Sequence, residues 1–592
     1  MVATVMMNVM RFAVAPITLL AALVSVAALP APLPWVERSN QHARVLLEAD
    51  ARTSPEGAGR LGVEGVDEKI TDLSPGVSER TRKAYRKAAQ TLRGRLKTET
   101  DPLVRQDLEI LIQAAELRVR QSEVFEKHLL PYGNVTELVF QGLRALLDDQ
   151  VPEARRRAAL VRLRRYVGME EGYRPITQLA AERLREKLPQ QHLLGPFRSK
   201  VEQDLANSKL FLEGIGPLFQ KYGLDGYQDA LARWKDQAAN YQQFVRQELL
   251  PRSRTDFRLP PELYKLNLEN VGVDLPPEEL AKKARVAFTE IQREMQELAP
   301  RVAQERGWTL TGYREVIREL KKQQLVGDAI LPHYQKRLAQ IEEIVRQRNL
   351  VTLPQRAARI RLATPAESAS SPAPNMRPPR LVGNTGEMGE FVLPLNIPDA
   401  AGKMQGYDDF TFEAASWTLV AHELRPGHEL QFASIVEKGV STARAVYAFN
   451  STNVEGWGLY SEWVIQPFLP VEGRLVGLQH RLMRAARAYL DPELQLGKVT
   501  PAEATRVLTD EVVLSPAMAR QEVERYTFRM PGQATSYFYG YLRLLELRAE
   551  VERKLGARFD ARKFHDFLLA QGLLPPALLR RAVKEEFLKA GS

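Results

Sequence analysis

The sequence predicts a mainly α-helical protein with a small β element. Between about residues 78 and 248 it consists largely of Leu, Ala, Arg, Glu and Gln. Apolar residues recur there three and four positions apart, which is the spacing of one buried helix face, as in Leu108, Leu111, Ile112 and Ala115. At 592 residues, with 44% hydrophobic and 26% charged residues, the chain is long and apolar enough for a large core or several domains.

The first 28 residues are typical of a secretory leader. Arg11 is followed by an uncharged, mostly apolar run from Phe12 to Leu29, and cleavage is expected after Ala27 or Ala28. An uncleaved N-terminal anchor is the alternative, since the run approaches the length of a membrane span and Pro16 interrupts it. Both interpretations predict export to the periplasm or the cell exterior, with membrane contact only through the leader.

The helical region after the leader is expected to divide at proline residues, namely Pro131, Pro152, Pro189 and Pro196. A second helical block includes residues 276–298, where Pro277 stands in the first turn of a helix. Charge runs such as Arg155–Arg157 are most simply solvated helix faces. We expect an N-terminal helical lobe at residues 29–250 and a C-terminal lobe at residues 251–592.

The residue composition limits the possible partners and ligands. The chain has no cysteine, so disulfides, thiolate metal ligands and a lipid anchor on cysteine are excluded. Its net charge of +10, from 83 basic and 73 acidic residues, indicates solubility or a mild preference for anionic surfaces. No basic stripe with interleaved aromatic residues is evident, so a nucleic-acid partner is not expected. The sequence leaves the oligomeric state open.

The composition changes at residues 364–380, a Pro-, Ser- and Ala-rich stretch that we expect to be a linker. The segment that follows, Glu390–Asn396, predicts a short edge strand that tolerates Pro394. An edge strand beside an active site is able to pair with an extended substrate backbone. Simple packing explains an apolar edge strand equally well, so both alternatives stay open.

The motif HELRPGH, residues 422–428, combines two of the eight histidines with a glutamate. Two imidazole ligands and a carboxylate beside the metal-bound water are what a zinc hydrolase needs. In the usual HExxH motif the ligands stand at i and i+4, whereas here Pro426 occupies i+4 and the second histidine stands at i+6. His422 also lies on the apolar stripe of a predicted helix, where a lone histidine is more often structural.

The unusual spacing predicts a break in the helix between Arg425 and His428. In an unbroken α-helix, residues six apart differ by about 600° of rotation and about 9 Å along the axis, so both imidazoles could not reach one ion. Pro426 lacks an amide hydrogen and disfavours α geometry at Arg425, while Gly427 permits left-handed dihedral angles. A widened turn or short break would return His428 to the metal, beside Glu423.

A third ligand is expected from NVEGWGLYSE, residues 453–462, where Glu455 stands near the start of another helix. The alternative is a capping box, in which Thr452 and Glu455 only cap that helix. Gly456 and Gly458 favour the ligand, because each weakens the helix by up to about 1 kcal/mol and is better explained by close approach of a backbone or ligand. Glu462, on the same face as Glu455, is a candidate to orient a ligand.

The segment RMPGQATSY, residues 529–537, is a further candidate part of the site. It places Pro-Gly before a helix, with Gln533 and Tyr537 on one face, and the tyrosine hydroxyl could donate to the oxyanion of amide hydrolysis. A buried structural tyrosine is the alternative. The remaining histidines have no ligand-like companions and are expected to be structural: His42, His128, His192, His333, His480 and His565.

The motifs HExxPGH, EGWxLYxE and PGQAxxYxxG, in this order, resemble the bacterial family called domain of unknown function 885, whose members are regarded as gluzincin-type zinc metallopeptidases. The resemblance runs through most of the chain after the leader and is strongest from about Gly389 to Gly540. It implies a mainly α, two-lobed, helical metallopeptidase-like fold, with a small β element beside a central cleft and the metal motif in the C-terminal lobe.

Residue by residue, the resemblance implies one Zn²⁺ ion held by His422, His428 and Glu455, with Glu423 as the general base. It also implies that Gln533 and Tyr537 lie near the site, which supports Tyr537 as an oxyanion donor. We therefore expect an exported zinc metallopeptidase whose substrate is a peptide.

This chain departs from the family pattern at two positions. Glu429 stands where a second histidine usually follows PGH, and Gly458 stands where alanine is usual. If that histidine contributes to the site, Glu429 is expected to alter metal affinity or substrate choice. A catalytically inactive helical binding protein on the same scaffold, suggested by Glu429, is one alternative function. A zinc hydrolase of another amide or an ester is the other.

Overall fold

The computed structural model describes residues 34–399 and 401–590, so the predicted leader at residues 1–28 lies outside the described residues. The chain is mainly α-helical with two small sheets, which confirms the predicted fold class. Within the described part of the chain, we find no helix whose length and apolar character suit a membrane span.

The helices between residues 34 and 250 are α1 Pro34–Thr53, α2 Pro55–Leu61, α3 Val77–Leu96, α4 Pro102–His128, α5 Val135–Arg144, α6 Glu153–Arg156, α7 Ala158–Tyr166, α8 Ile176–Lys187, α9 Arg198–Lys221 and α10 Gln228–Phe244. Those that follow are α11 Pro261–Asn270, α12 Pro277–Arg306, α13 Tyr313–Lys321, α14 Ile330–Gln347, α15 Pro365–Ser370, α16 Ala415–Glu423, α17 His428–Glu437, α18 Ser451–Ile465, α19 Val471–Gln495, α20 Pro501–Arg506, α21 Pro516–Glu524, α22 Thr535–Leu555, α23 Ala561–Ala570, α24 Pro576–Ala582 and α25 Leu588–Ala590. Several helices end in a π-helical turn, at Val245–Leu249, Ala443–Tyr447, Val507–Glu511, Arg525–Arg529 and Val583–Phe587. Short 3₁₀ turns lie at Leu250–Arg252, Gly327–Ala329, Gln466–Phe468 and Gly556–Arg558.

The prolines divide the helical region as predicted. Each of the four expected breaks lies between helices, because proline cannot donate the amide hydrogen that continues a helix. Pro277 is the first residue of α12, as predicted, where its missing donor costs nothing. This helix continues beyond the predicted end, through Pro300 to Arg306, and Gly307 in the left-handed region (φ 71°) caps it.

Two small sheets lie between α14 and α16. Strands β1 Arg359–Leu362, β2 Asn375–Arg377 and β3 Glu390–Leu393 form one sheet in the order β1-β3-β2. Strand β3 pairs parallel to β1, with Arg359 opposite Glu390, and antiparallel to β2, with Asn375 opposite Val392. Strands β4 Asn396–Pro398 and β5 Met404–Gly406 form an antiparallel pair.

Two predictions for this region are wrong. Segment 390–396 is not an edge strand, because β3 is the central strand, buried throughout and hydrogen-bonded on both edges, so it offers no free edge to a substrate. Pro394 lies after β3, where its missing amide hydrogen removes no bond from the sheet. Residues 364–380 are not a plain linker either. They include β2 and α15, which Thr364 and Glu367 begin with a capping box.

The buried apolar side chains form two main clusters. The larger one joins α1, α3 and α4 to the helices from α11 onwards. The second is built from residues 130–249 together with Ala366 and Ala369 of α15. The candidate site lies in the larger cluster, where α16, α18, α19 and α22 pack against one another. The division of the chain at residue 250 stays a prediction.

Candidate metal centre

The helix breaks where the sequence predicts it. Helix α16 ends at Glu423, α17 begins at His428, and the Arg425–Pro426 peptide bond between them is cis. Gly427 has φ −76° and does not use the left-handed dihedral angles that glycine permits. A Cβ atom at Gly427 would instead lie 1.9 Å from the carbonyl oxygen of His422, which means that close backbone approach requires the glycine.

The EGWxLYxE motif of α18 stabilises the break between α16 and α17. The indole Nε1 of Trp457, on α18, donates to the carbonyl oxygens of Pro426 at 3.0 Å and Gly427 at 3.2 Å. The hydroxyl of Ser461, one helical turn later, donates to the Pro426 carbonyl at 3.2 Å. These bonds satisfy the Pro426 carbonyl and add a second partner to the Gly427 carbonyl, which also accepts from the Gln431 amide at 3.0 Å.

Three candidate ligand atoms converge across the break. The Nε2 atoms of His422 and His428 lie 3.5 Å and 3.3 Å from Oε2 of Glu455. The three ligand atoms all lie within 4.8 Å of one another, and the two imidazole rings are nearly perpendicular, at 77°. A tetrahedral zinc ion with ligand bonds of about 2.0–2.2 Å separates its ligands by roughly 3.3–3.6 Å, so both measured separations fit.

The hydrogen bonding of this group also suits a cation. Oε2 of Glu455 is buried and has no hydrogen-bond partner among the described residues, although it faces both histidines. Burial would raise the pKa of Glu455, but its contacts with His422 and His428 outweigh burial and lower that pKa well below its usual value. Two nitrogen donors and one ionised carboxylate are the ligand set of a catalytic zinc site.

The capping-box alternative for Glu455 is wrong. Helix α18 begins two residues earlier than that box requires, with Asn450 as the N-cap, whose side chain accepts from the Asn453 amide at 2.8 Å. The hydroxyl of Thr452 donates to the Val271 carbonyl at 2.7 Å instead of capping the helix. The Glu455 carboxylate is therefore available to the histidines.

The predicted close approaches at two glycines of α18 are confirmed. A Cβ atom on Gly456 would lie 2.6 Å from the carbonyl carbon of Gly540, so α18 and α22 pack backbone to backbone here. A Cβ atom on Gly458 would lie 2.7 Å from Cε1 of His422 and 2.8 Å from Cε1 of His428. The two imidazole rings therefore occupy the space that a larger side chain would fill.

Glu462 is placed to orient His422. Its Oε1 lies 2.7 Å from Nδ1 of His422, and its Oε2 accepts from the Thr418 hydroxyl at 2.5 Å. Burial would raise the pKa of Glu462, but Arg484 and His422 outweigh burial and hold it at about 2. The ionised carboxylate fixes the proton on Nδ1, which leaves Nε2 free to face Glu455.

Glu423 follows the first histidine directly and is 7% exposed. Burial raises the pKa of its carboxyl group, against the attraction of His422 and His428. A carboxylate with a raised pKa accepts a proton more readily than an ordinary glutamate, which is the property that a general base requires.

Tyr537, on α22, borders the same group. Its ring stacks over that of His422, with centroids 6.2 Å apart and an interplanar angle of 14°. Its hydroxyl accepts from Nη2 of Arg525 at 2.8 Å, and burial raises its pKa, so its own proton is retained for donation. Gln533 is connected to Tyr537 through Arg525. Its Oε1 accepts from Nε of Arg525 at 3.0 Å, and its Nε2 donates to the Ser451 hydroxyl.

Glu429 is fully buried but does not belong to the three-ligand group. Its carboxylate accepts from Nε of Arg425 at 2.6 Å, and Arg425 also bonds Glu342 and the Arg356 carbonyl. This ion pair fixes the residue that precedes Pro426. An effect of Glu429 on the metal or the substrate stays a prediction.

Sequence reasoning missed three arginines that face the Tyr537 ring. The Cζ atoms of Arg484, Arg487 and Arg525 lie 5.9, 4.6 and 5.2 Å from the ring centroid. The first two stand three residues apart on α19, a helix that is buried along nearly its whole length in the structure, which their charge does not indicate in the sequence. The remaining histidines belong to no group of three or more metal-binding side chains within the described residues. Two of them are buried, and burial lowers the pKa of His480 to about 3 and that of His565 to about 4.

A family model described as "Bacterial protein of unknown function (DUF885)" matches residues 55–583, which include all three motifs of the site. The chain belongs to the DUF885 family. No curated protein matches it. The family description names no activity, so the function of this DUF885 member has to be argued from its site.

Two solved structures show that this fold recurs in other bacteria. One is described as "the putative lipoprotein from Colwellia psychrerythraea"; it is 20% identical, with a TM-score of 0.73, and the match covers 93% of this chain and 99% of that one. The other is "a putative lipoprotein of unknown function from Shewanella oneidensis", 18% identical, with a TM-score of 0.67 and coverage of 94% and 100%. A Bacillus anthracis structure described as a "putative oligoendopeptidase F" has a TM-score of 0.26, which is too low to support any inference.

Proposed function

We propose that this DUF885 protein is an exported, zinc-dependent metallopeptidase. The observation that carries the proposal is the convergence of Nε2 of His422 and Nε2 of His428 on one unpartnered oxygen of Glu455, at 3.5 and 3.3 Å. A buried carboxylate, Glu423, follows the first of these histidines directly. Two histidines and a glutamate as ligands, with a second glutamate as base, make up the known ligand set of zinc peptidases.

The chain's own residues would divide the chemistry of amide hydrolysis among them. When bound, a zinc ion supplies Lewis acidity, which lowers the pKa of a water molecule and polarises a carbonyl group. Glu423 takes a proton from the attacking water and returns it to the leaving amine. The Tyr537 hydroxyl, kept protonated by burial, donates to the oxygen that becomes negative in the transition state.

Export is part of the proposal. The apolar N-terminal run supports it, and both solved relatives with this fold are described as putative lipoproteins. This chain has no cysteine to carry a lipid, so cleavage of the leader or retention of it as an anchor are the two routes that remain.

Two other functions use the same scaffold. Hydrolysis of a different amide or of an ester needs the same ligands and the same base. Substrate assays are therefore needed to distinguish peptides from these other substrate classes. A non-catalytic binding protein was suggested by Glu429, but this residue pairs with Arg425 and leaves the three candidate ligands intact. Catalysis is therefore the function that the site supports best.

The test combines metal analysis with peptide hydrolysis. Purified full-length protein is expected to hold one equivalent of zinc and to hydrolyse members of a defined peptide mixture, followed by mass spectrometry. Glu423→Ala should keep the zinc and the fold while losing activity by a factor of about 10² or more. Glu343→Gln, an exposed glutamate on α14, is the control and should keep full activity. Undiminished hydrolysis by Glu423→Ala, or a protein that takes up no zinc, would refute the proposal.

A further inference from the structure

The arginines Arg484, Arg487 and Arg525, here called the tyrosine-facing arginines, concentrate positive charge beside the candidate metal ligands. Arg484 and Arg487 extend from α19, and Arg525 begins the π-helical turn after α21. All three guanidinium groups lie within 6 Å of the Tyr537 ring, whose other neighbour is His422. The positive group is therefore separated from the ligands by a single aromatic ring.

The counter-ions of these arginines are not equivalent. Arg487 makes two bonds of 2.7 Å to Glu522, which also accepts from the Tyr526 hydroxyl at 2.6 Å. Arg484 shares Glu462 with His422, at 3.6 Å. Arg525 bonds the neutral oxygens of Gln533 and Tyr537, and its ion pair, at 3.6 Å, is with the Glu522 carboxylate that Arg487 also binds.

The ion pairs of these three arginines use two carboxylates, Glu462 and Glu522, and burial of a surplus positive charge is costly. Such an arrangement is expected where a ligand supplies the missing anion. The solvent exposure of the three arginine side chains supports this explanation. The side chain of Arg525 is 17% exposed, as is that of Glu455, whereas Arg484 and Arg487 are only 5% and 3% exposed. Arg525 is thus the most exposed member of the group.

We propose that Arg525 binds a carboxylate on the substrate residue that follows the scissile bond. The C-terminal carboxylate of the substrate peptide is the leading source of this group. This inference rests on the proposed peptidase function and would make the protein a carboxypeptidase. The carboxylate of a C-terminal residue lies only roughly 3–4 Å from the preceding carbonyl carbon. Tyr537 contacts both His422 and Arg525, since its ring stacks on that of His422 with centroids 6.2 Å apart and its hydroxyl bonds Arg525 at 2.8 Å.

Arginine is also the residue whose shape suits the task. Its guanidinium is planar and always charged, and the bonds of Nε and Nη2 to Gln533 and Tyr537 hold the Arg525 group in one orientation. Nη1 faces Glu522 at 3.6 Å, beyond hydrogen-bonding distance, so the group keeps donor capacity. A pre-oriented arginine with spare donors can select between charged and neutral substrate ends.

The experiment compares three acetylated peptides of one sequence on the zinc-loaded, full-length protein. The first ends in a free carboxylate, the second in an amide, and the third in an amide with glutamate as its last residue. Binding is measured by calorimetry on Glu423→Gln, and kcat/KM on the unmodified protein. We expect the free acid to exceed the plain amide by at least tenfold in both measurements. The third peptide separates the two carboxylate sources, since preference for it over the free acid would assign Arg525 to acidic side chains.

Substitutions then connect the preference to Arg525. Arg525→Met should reduce the difference between free acid and amide to less than about twofold. Arg525→Lys, which keeps the charge but loses the planar group that Gln533 and Tyr537 orient, should reduce it at least threefold. Arg543→Met, on α22, removes an exposed positive charge and should leave the preference unchanged. Tyr537→Phe should lower kcat for all peptides and keep the preference.

Failure of this inference is distinguishable from failure of the peptidase proposal. Equal binding of acid and amide by Glu423→Gln, or a preference that persists in Arg525→Met, would overturn the role of Arg525 even if hydrolysis is robust. Absence of hydrolysis would overturn the peptidase proposal, and the binding arm would still report on Arg525. If Arg525→Met does not fold, as judged by circular dichroism, Arg525→Lys decides: an undiminished preference in that variant overturns the inference.

Discussion

The indole Nε1 of Trp457 donates a hydrogen bond of 3.0 Å to the carbonyl oxygen of Pro426. Trp457 stands two residues after Glu455 on α18, and Pro426 stands two residues before His428. The helix that provides one candidate ligand therefore also holds the break that turns another towards it. The two motifs are thus parts of one structural unit, in which α18 fixes the path of the chain between α16 and α17.

Trp457→Phe keeps the aromatic bulk but removes the donor. The carbonyls of Pro426 and Gly427 then lose this partner, and we expect the free energy of unfolding to fall by about 1–3 kcal/mol. The affinity for zinc should fall as well, because His428 is no longer held. Urea unfolding and zinc competition with a chelator measure the two effects. Trp463→Phe, on the same helix, is the control, and unchanged zinc affinity in Trp457→Phe would contradict the link between the motifs.

The sequence was sufficient to predict the break and the group of ligands, because both follow from local rules. Two ligands six residues apart cannot share an ion on one helix, and a proline between them marks where the helix must end. The glycines of α18 likewise indicated close approach, although the neighbours, Gly540 and the two imidazoles, are known only from the structure. At Gly427 the sequence identified the residue, whereas the close approach of the His422 carbonyl that requires glycine is known only from the structure.

Longer-range features were not predictable in this way. Strand β3 is central because β1 and β2, of four and three residues, pair with it, and such short strands leave little periodicity in a sequence. The tyrosine-facing arginines meet only through the packing of α19 against the turn at Arg525. Charged residues on helices are usually solvated, so nothing in a single sequence distinguishes Arg487 from a surface arginine.

Glu462→Gln should weaken zinc binding by about 10–100-fold, because the charge that orients His422 is lost while the side chain keeps its shape. Chelator competition measures this affinity directly. Glu493→Gln provides a matched control, since this buried glutamate of α19 pairs with Arg285 away from the ligands. Equal zinc affinity in Glu462→Gln and the unmodified protein would show that the 2.7 Å contact does not tune the ligand.

Gly458→Ala tests how tightly the imidazoles fill the space beside α18. The added methyl group would lie 2.7 Å from Cε1 of His422, so one ring has to shift, and we expect zinc affinity to fall by at least about tenfold. Gly477→Ala, in α19, is the counterpart: its nearest neighbour would lie 3.9 Å away, and it should stabilise the helix by up to about 1 kcal/mol. A Gly458→Ala protein with full zinc affinity would mean that the rings adjust freely.

Asp491, on α19, predicts a pH dependence of stability. Its two carboxylate oxygens each accept from the Gly532 amide at 2.9 Å, and the Tyr264 hydroxyl donates to it at 3.0 Å. Burial outweighs these bonds and raises its pKa from 3.8 to about 7. Between these values the folded state binds more protons than the unfolded state, so the contribution of Asp491 to stability falls as the pH rises from about 4 to 7.

Asp491→Asn should remove this contribution, because asparagine offers the Gly532 amide an acceptor and does not titrate. We expect the unmodified protein, relative to Asp491→Asn, to lose about 2–3 kcal/mol of unfolding free energy between pH 5 and pH 8. Comparing the two proteins at each pH cancels the titration of the other groups; the buried Glu462 and Glu522, whose pKa values are lowered to about 2, are ionised in both states over this range. An equal pH dependence in both proteins would mean that Asp491 is ionised throughout this range, with the turn at Gly532 holding it charged.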